Sequence, residues 1–504
     1  MSSNQKVYDY DRDKVRDKLV DIFRKRKGEA TTADLVAMTG LPKHQVDSEV
    51  KAVSDEYGAR LRVTDSGEIL YSFPSGMRSH YRGFGPSFLR GWKSFRKAAA
   101  KVAAFLFKIW IVVMLVGYFV LFVALAVLAM LASVTVSMSG NSRDSRSSSR
   151  GGGGGLFFAG RLLDLMFRIW FYSELFTPPE QRAARRDKRR SRKPLYKAIY
   201  SFVFGDGDPD AAWDETEKKA FVAFAQANKG VVTMPEFMAI TGLPPLEAEG
   251  RINRYMYEFE GSPEVTEGGA IYYFFPELLR RKDRADRSFG GSVPMRRIAQ
   301  FSANPKKANA TFCAFNAVNL LFGSYFLYGS LTVPAMHILT SHLGIRGFDY
   351  LYIFTTFLAA RYGNIADPSA LLGVVLGVVP LAFSVLFYLV PAVRAKRLAD
   401  RNEAAREENL RRVAYRTVLD SPIPVRPESI PVRDDAARPK DSRAAEKTLK
   451  QLAAWSGGEP AADGSYSYPE IERGKAEAAK ARASVDLSAY DLGGVAFDSD
   501  APAR

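Results

Sequence analysis

Five carboxylates, Asp206, Asp208, Asp210, Asp214 and Glu217, stand at the first, third, fifth, ninth and twelfth positions of a calcium-loop spacing. Oxygen ligands at such intervals let a short loop wrap a hard cation. The sixth position of that loop requires glycine for its sharp turn, and here it is Ala211. The same residues read better as a helix start, with Asp208 as cap, Pro209 as first residue and acids near the positive end of the helix dipole. Ser324 and His337 are a nucleophile and base by type, but no motif fixes their approach. They read as a small-residue helix contact and an interfacial histidine. Arg161, Asp164 and Arg168 are spaced by three and four residues, so one helical stripe would let the acid pair with both arginines. The glycine run 151–155 lacks the Gly-Lys-Ser/Thr ending of a phosphate cradle and reads as a linker. Cys313 is the single cysteine and the four histidines are scattered at 44, 80, 337 and 342, which excludes a disulfide framework and a cysteine-cluster metal site. No catalytic, cofactor-binding or metal-ligating residue is assigned, and no cofactor or enzyme activity is expected.

What must position these residues is a chain of 504 residues with 71 Lys+Arg against 55 Asp+Glu, a net charge of +16. That balance points to an acidic partner, either nucleic acid or an anionic membrane surface. The run 102–138 contains one charge, Lys108, and exceeds the roughly 20 residues needed to cross about 30 Å of hydrocarbon. Its core, 109–133, is read as the first span, with 156–176, 308–329 and 371–393 as further spans. The charged stripe leaves 156–176 as a crossing or an interfacial helix. Arg78, Arg82, Arg90, Lys93, Arg96, Lys97 and Lys101 precede the first span, and Arg182, Arg185, Arg186 and Lys188 follow the second. Arg296, Arg297, Lys306 and Lys307 precede the third, and Arg394, Lys396 and Arg397 follow the fourth. The positive-inside rule puts all these flanks and both termini in the cytoplasm, as in a multi-pass protein of a bacterial inner membrane. The apolar stretch 348–360 is too short to cross and reads as a re-entrant or interfacial helix on the outer side.

Residues 27–74 align without gaps onto 229–276 at an offset of 202. Thr39-Gly40-Leu41-Pro42 recurs as Thr241-Gly242-Leu243-Pro244, and Tyr71 and Phe73-Pro74 recur as Tyr273 and Phe275-Pro276. Each copy reads as helix, glycine turn, helix and β-hairpin. Val46, Val50 and Val53 share a helix face in the first copy, as Ala248, Ile252 and Tyr255 do in the second. With a preceding helix this is a winged helix-turn-helix.

The Thr-Gly-Leu turn, the wing and the motif Phe204-Gly205-Asp206-Gly207-Asp208-Pro209, joined to membrane spans, resemble a family of uncharacterised bacterial and plastid membrane proteins. Plastid members of that family sometimes carry an iron–sulfur-biosynthesis label. The resemblance implies an architecture and no activity, because a cluster needs several thiolates and Cys313 stands alone.

The expected fold class is therefore a mainly α membrane protein with two cytoplasmic winged-helix (α+β) modules, about four transmembrane helices and a largely disordered C-terminal tail. Its expected order is module 1–76, basic juxtamembrane segment 77–108, span 109–133, Ser/Gly linker 134–155, span or interfacial helix 156–176, and basic segment 177–200. Module 201–280, basic linker 281–307, span 308–329, outer loop 330–370, span 371–393 and the charged helix and tail 394–504 follow. In the second helix of each module Asp47, Glu49, Asp55 and Glu56, or Glu247, Glu249, Glu258 and Glu260, offset the basic residues. Phosphates would be repelled there, so nucleic acid is disfavoured as a partner. The expectation is a non-enzymatic scaffold that binds a protein partner, self-associates, or both, with anionic lipid at its basic clusters. A membrane-tethered DNA-binding regulator and a small-solute transporter using the Arg161–Asp164–Arg168 stripe are the alternatives. The two modules are expected to dock on each other through hairpin edges 70–73 and 272–275, which would otherwise be unpaired.

Overall fold

The structure, a computed structural model, describes residues 10–25, 28–73, 84–139, 194–282, 293–339, 349–363, 368–421, 423–431 and 442–500. The expected crossing at 156–176 and the glycine run 151–155 lie outside the described residues. The chain divides into two compact units, one of Met1–Gly91, Asp208–Ala299 and Ala399–Arg504, the other of Trp92–Gly207 and Gln300–Leu398.

The first unit opens with α1 (Arg12–Lys25), α2 (Thr32–Thr39), α3 (Lys43–Tyr57) and the hairpin β1 (Arg60–Thr64) and β2 (Ile69–Ser72). Thr31 and Asp34 cap α2 reciprocally, which satisfies amides that the first helical turn leaves without partners. Val15, Leu19 and Phe23 of α1 pack with Leu35 and Val36 of α2 and with Val46, Val50 and Val53 of α3. The same order follows as α7 (Trp213–Ala227), β3 (Val231–Val232), α8 (Met234–Thr241), α9 (Pro245–Phe259), β4 (Ser262–Val265) and β5 (Ile271–Phe274). Thr233 and Glu236 cap α8 as Thr31 and Asp34 cap α2. Its core is aromatic, with Phe221 against Tyr255 at 4.9 Å and Phe275 at 5.0 Å between ring centroids. Ala248, Ile252 and Tyr255 are buried, as their spacing requires.

The expected hairpin edges are not free. Tyr71 bridges to Ala30, and β5 is the middle strand of the order β3-β5-β4. The free side of β1 is taken by β8 (Val495–Asp498), giving the order β2-β1-β8. Docking of one hairpin edge on the other is thus excluded, because the neighbouring strand positions are already filled.

The tail also departs from the expectation. After α13 (Val379–Asp420) come α14 (Ser442–Ser456), the short strands β6 (Glu459–Pro460) and β7 (Tyr466–Ser467), α15 (Pro469–Ser484) and β8. Leu449, Leu452, Tyr466, Tyr468 and Ile471 are buried in the same core as the first two modules. Its Ala/Glu/Lys composition suggested disorder, but a few apolar residues at helical spacing suffice when a preformed core receives them.

The β6–β7 turn repeats a geometry found twice before. Gly67, Gly269 and Gly464 adopt φ of +81°, +81° and +79°. In each turn the glycine amide bonds back to the carbonyl of Thr64, Thr266 or Ala461, at 2.9, 2.9 and 3.0 Å. The tyrosine that follows pairs with an upstream residue in all three cases: Tyr71 with Ala30, Tyr273 with Val232 and Tyr466 with Val425.

In the second unit, α4 (Phe84–Val112) continues through a π-turn at Val113–Gly117 into α5 (Tyr118–Ser139). α6 (Leu195–Phe204), α10 (Lys306–Leu339), α11 (Tyr350–Gly363), α12 (Pro368–Leu372), a second π-turn at Gly373–Val378 and the start of α13 complete it. Among the described residues three helices, Ala98–Ala132, Lys306–Val333 and Pro368–Asp420, are long and apolar enough to cross a membrane. One buried cluster joins Ile111, Ile199, Phe202, Phe312 and Phe387; another joins Phe122, Phe326, Tyr352 and Leu372. α4–α5 and α10 therefore run from the first cluster to the second, and α12–α13 runs back. Gly323 and Gly377 let α10 and the α12–α13 segment touch by backbone, since a Cβ on Gly377 would lie 2.9 Å from the Leu327 amide. Asn319 donates to the Leu115 carbonyl at 2.8 Å, supplying a donor at the first π-turn.

Candidate interaction surface

Gly40 ends α2 in the left-handed conformation, φ +68°, and Gly242 ends α8 at φ +67°. In an open helix-turn-helix such a turn faces solvent or nucleic acid; here each is covered by a helix from much later in the chain. A Cβ on Gly40 would lie 2.8 Å from the Glu215 carbonyl and 3.1 Å from the Lys219 stem, both on α7. A Cβ on Gly242 would lie 2.5 Å from the Glu408 carbonyl and 2.9 Å from Cγ of Arg412, both on α13. The covering residues are four apart in both cases, so one helical turn lies against each glycine.

Among the described residues Arg412 is the largest fully buried side chain. Its guanidinium donates to the carbonyls of Ile240 at 3.0 Å and Thr241 at 2.6 Å and pairs with Glu408 and Glu217. Both Arg412 and Arg296 approach the Trp213 ring, their guanidinium carbons 4.7 and 4.6 Å from its centroid. Burial pushes the Glu217 carboxyl above its usual range, while Arg412 and the Tyr255 hydroxyl, 3.0 Å away, pull it down.

The first basic residue of α3, Lys43, is engaged within the chain. Lys43 donates to Glu260 at 2.8 Å and Glu277 at 2.7 Å, and Glu49 pairs with Arg16 at 2.5 Å. Arg280 reaches Glu68 at 3.0 Å, and Lys282 pairs with Glu29. The first two modules therefore dock through charged side chains rather than strand edges. Between them a polar cavity of about 270 Å³ is lined by Lys18, His44, Asp214, Lys218, Arg254 and Glu258 among others. Lys218 pairs there with Glu258 at 2.8 Å, and both are buried. Neither ring nitrogen of His44 has a hydrogen-bond partner among the described residues, and burial holds its imidazole below the ordinary value.

The acidic series does not converge. Asp206 accepts from Ser201 at 2.7 Å and the Ala303 amide at 2.8 Å, while Asp208 accepts from the Asp210 amide at 2.8 Å and pairs with Arg401. Asp210 accepts from the Arg297 amide at 3.1 Å, Asp214 pairs with Lys218 at 3.1 Å and Glu217 faces Arg412. Among the described residues no group of three or more His, Cys, Asp or Glu could hold a metal ion. Asp208 caps a turn instead of the helix, which begins four residues after Pro209 at Trp213. Gly205, at φ +85°, accommodates the Arg394 guanidinium, which would be 2.8 Å from a Cβ there. Ser324 is exposed on α10, and the side chain of His337 lies outside the described residues.

Sequence reasoning missed Arg412, Trp213 and the tail strand β8. The pairing of Glu408 with Arg412 at helical spacing was visible, but nothing local marks an arginine as buried.

No family model matches the chain, and no solved structure matches it. An uncharacterised chloroplastic protein of Arabidopsis thaliana is 24% identical over 443 residues, covering 84% of this chain and 76% of that protein. The similarity is distant and extends over both units.

Proposed function

We propose that this chain is a membrane-anchored, non-enzymatic scaffold whose winged-helix modules bind a protein partner on the cytoplasmic side of a bacterial inner membrane. The observation that carries the reading is the burial of both glycine turns: Gly40 lies under α7 and Gly242 under α13. A helix that reads DNA must leave that corner open to the phosphate backbone. In place of phosphate contacts, Lys43 and Lys218 bind carboxylates of the same chain. The second module meanwhile exposes Leu246 at 82%, with Val265 and Ile271, a cross-strand pair, at 66% and 60%. Exposed apolar side chains on a charged surface suit a protein partner.

The β6–β7 turn, the Val425–Tyr466 bridge and α14 support a third, shortened winged helix in the tail. In this reading the first helix of each later module covers the turn of the module before it.

Parity supports four crossings. α6 lies beside the start of the first span, with Tyr196 5.5 Å from Phe105 and Tyr200 under Lys108. α5 ends at Ser139, after 22 residues or about 33 Å of helix leading away from that level. These positions support a further crossing between Ser139 and Pro194, for which 156–176 has the length.

The test uses the full chain in lipid nanodiscs and in native membranes. Expected are no salt-dependent retention of duplex DNA and a discrete photocrosslinked protein adduct from a probe at Leu246 or Val265. Retention that falls steeply between 50 and 200 mM salt, on the order of 10³-fold, would establish the DNA-regulator reading instead. Absence of an adduct from either position would remove the scaffold.

A further inference from the structure

The outer side of β1 is filled by the chain's own C-terminal strand, and the way β8 is held tells what that edge recognises. Arg62 pairs with Asp498 and Val63 with Phe497 in antiparallel register, with an irregularity before Thr64. The Asp65 amide donates to the Gly494 carbonyl at 2.9 Å, the Leu61 amide to Ser499 Oγ at 3.0 Å, and the Ser499 amide to the Leu61 carbonyl at 2.9 Å. Asp498 takes Nε of Arg60 at 2.8 Å and Nε of Arg62 at 2.9 Å, and a further Arg60 nitrogen. Those contacts are all hydrogen bonds or ion pairs.

The apolar side chains of β8 contribute little burial. Val495 is 49% exposed and Phe497 61% exposed. A strand built in for stability would bury one face, and this one buries neither. Two glycines, Gly493 at φ +69° and Gly494, lead into it. Its hold is a short ladder and the half-buried pairs of the single carboxylate Asp498 with Arg60 and Arg62, with no apolar face beneath it, and it persists because the tether keeps the local concentration high.

We propose that the β1 edge is a strand-addition site for an extended peptide with a carboxylate placed between Arg60 and Arg62, and that β8 occupies it in cis. This rests on the scaffold reading and gives the partner a chemistry: an extended acidic segment whose alternate apolar residues find, on the partner's own body, the packing that Val495 and Phe497 lack here.

The experiment uses the full chain in nanodiscs, wild type and Asp498→Lys, with a fluorescent peptide of residues 491–500 as probe. The lysine faces Arg60 and Arg62 and should expel the strand. Hydrogen exchange should then speed up at the Leu61 and Asp65 amides, which bond outward to the tail. It should stay slow at the Thr64 amide, which bonds inward to Glu68 at 2.9 Å. The probe should bind the variant about tenfold or more tighter than wild type, because the cis strand no longer competes. A probe with lysine at the Asp498 position should not bind. Unchanged protection at Leu61 and Asp65, loss of protection at Thr64 as well, or equal probe binding to both proteins would overturn the proposal. Probe binding without a crosslinked adduct in native membranes would leave the site standing and remove the scaffold. An adduct at Leu246 with no probe binding would do the reverse.

Discussion

Arg412 donates to the carbonyl of Thr241 at 2.6 Å, the residue immediately before the left-handed Gly242. A helix C-terminus leaves carbonyls without intrahelical partners and carries partial negative charge, so a guanidinium satisfies both needs. The arginine is fully buried, and its removal leaves the buried Glu217 without a cationic partner among the described residues, while Glu408 keeps Arg296.

Arg412→Ala should therefore lower stability by about 3–5 kcal/mol, the range for breaking a buried pair from one side. Arg416→Ala, which removes an exposed pair with Asp420, should change little. Urea midpoints of the full chain in nanodiscs, read by Trp213 fluorescence, distinguish the two. Equal shifts would mean that Arg412 does not hold α13 to the turn.

The glycines separate conformational cost from crowding. Gly464→Ala meets nothing within 4 Å and should cost about 1–2 kcal/mol for its φ of +79° alone. Gly242→Ala has the same conformational cost and also sets a Cβ 2.5 Å from the Glu408 carbonyl, so it should lose more and displace α13. Gly40→Ala, at 2.8 Å from the Glu215 carbonyl, should fall between them. Thermal midpoints give the order, and Gly464→Ala as the most damaging of the three would refute the packing account.

His44 predicts the sign of a pH effect. Its folded-state pKa is lowered, by burial first, against the opposing pull of Glu258, Glu260 and Asp47. Below the ordinary value of about 6.5 the unfolded chain takes up the proton more readily than the folded one, so stability falls as pH drops from about 7 towards 5. His44→Phe should flatten that part of the stability curve while leaving the value at pH 8 nearly unchanged. An unaltered slope would assign the effect to another group.

Parity of the spans can be read by labelling. In a Cys313→Ser background, an impermeant maleimide applied to intact cells should modify a cysteine at Ser149 and not one at Ser191. The opposite pattern would invert the protein, and labelling of neither or both would remove the crossing at 156–176.

Much of the local structure was legible from residue types and spacing. The short helices α2 and α8, the turns at Gly40 and Gly242, the buried face of Val46, Val50 and Val53 and the apolar helices follow from short-range sterics and periodicity. Those forces act within a few residues, so the sequence by itself determines them. What covers each turn was not legible, because Glu215 meets Gly40 and Arg412 meets Gly242 across 175 and 170 positions, and no periodicity records such a meeting. The acidic series was misleading for the same reason: Asp206, Asp208, Asp210, Asp214 and Glu217 are neighbours in sequence but turn to separate partners. The tail was misread because β6, β7 and β8 are too short to show alternation, and they form where a core and a strand edge already stand. Only the tertiary structure supplies that core and edge, and so only it decides whether such segments fold.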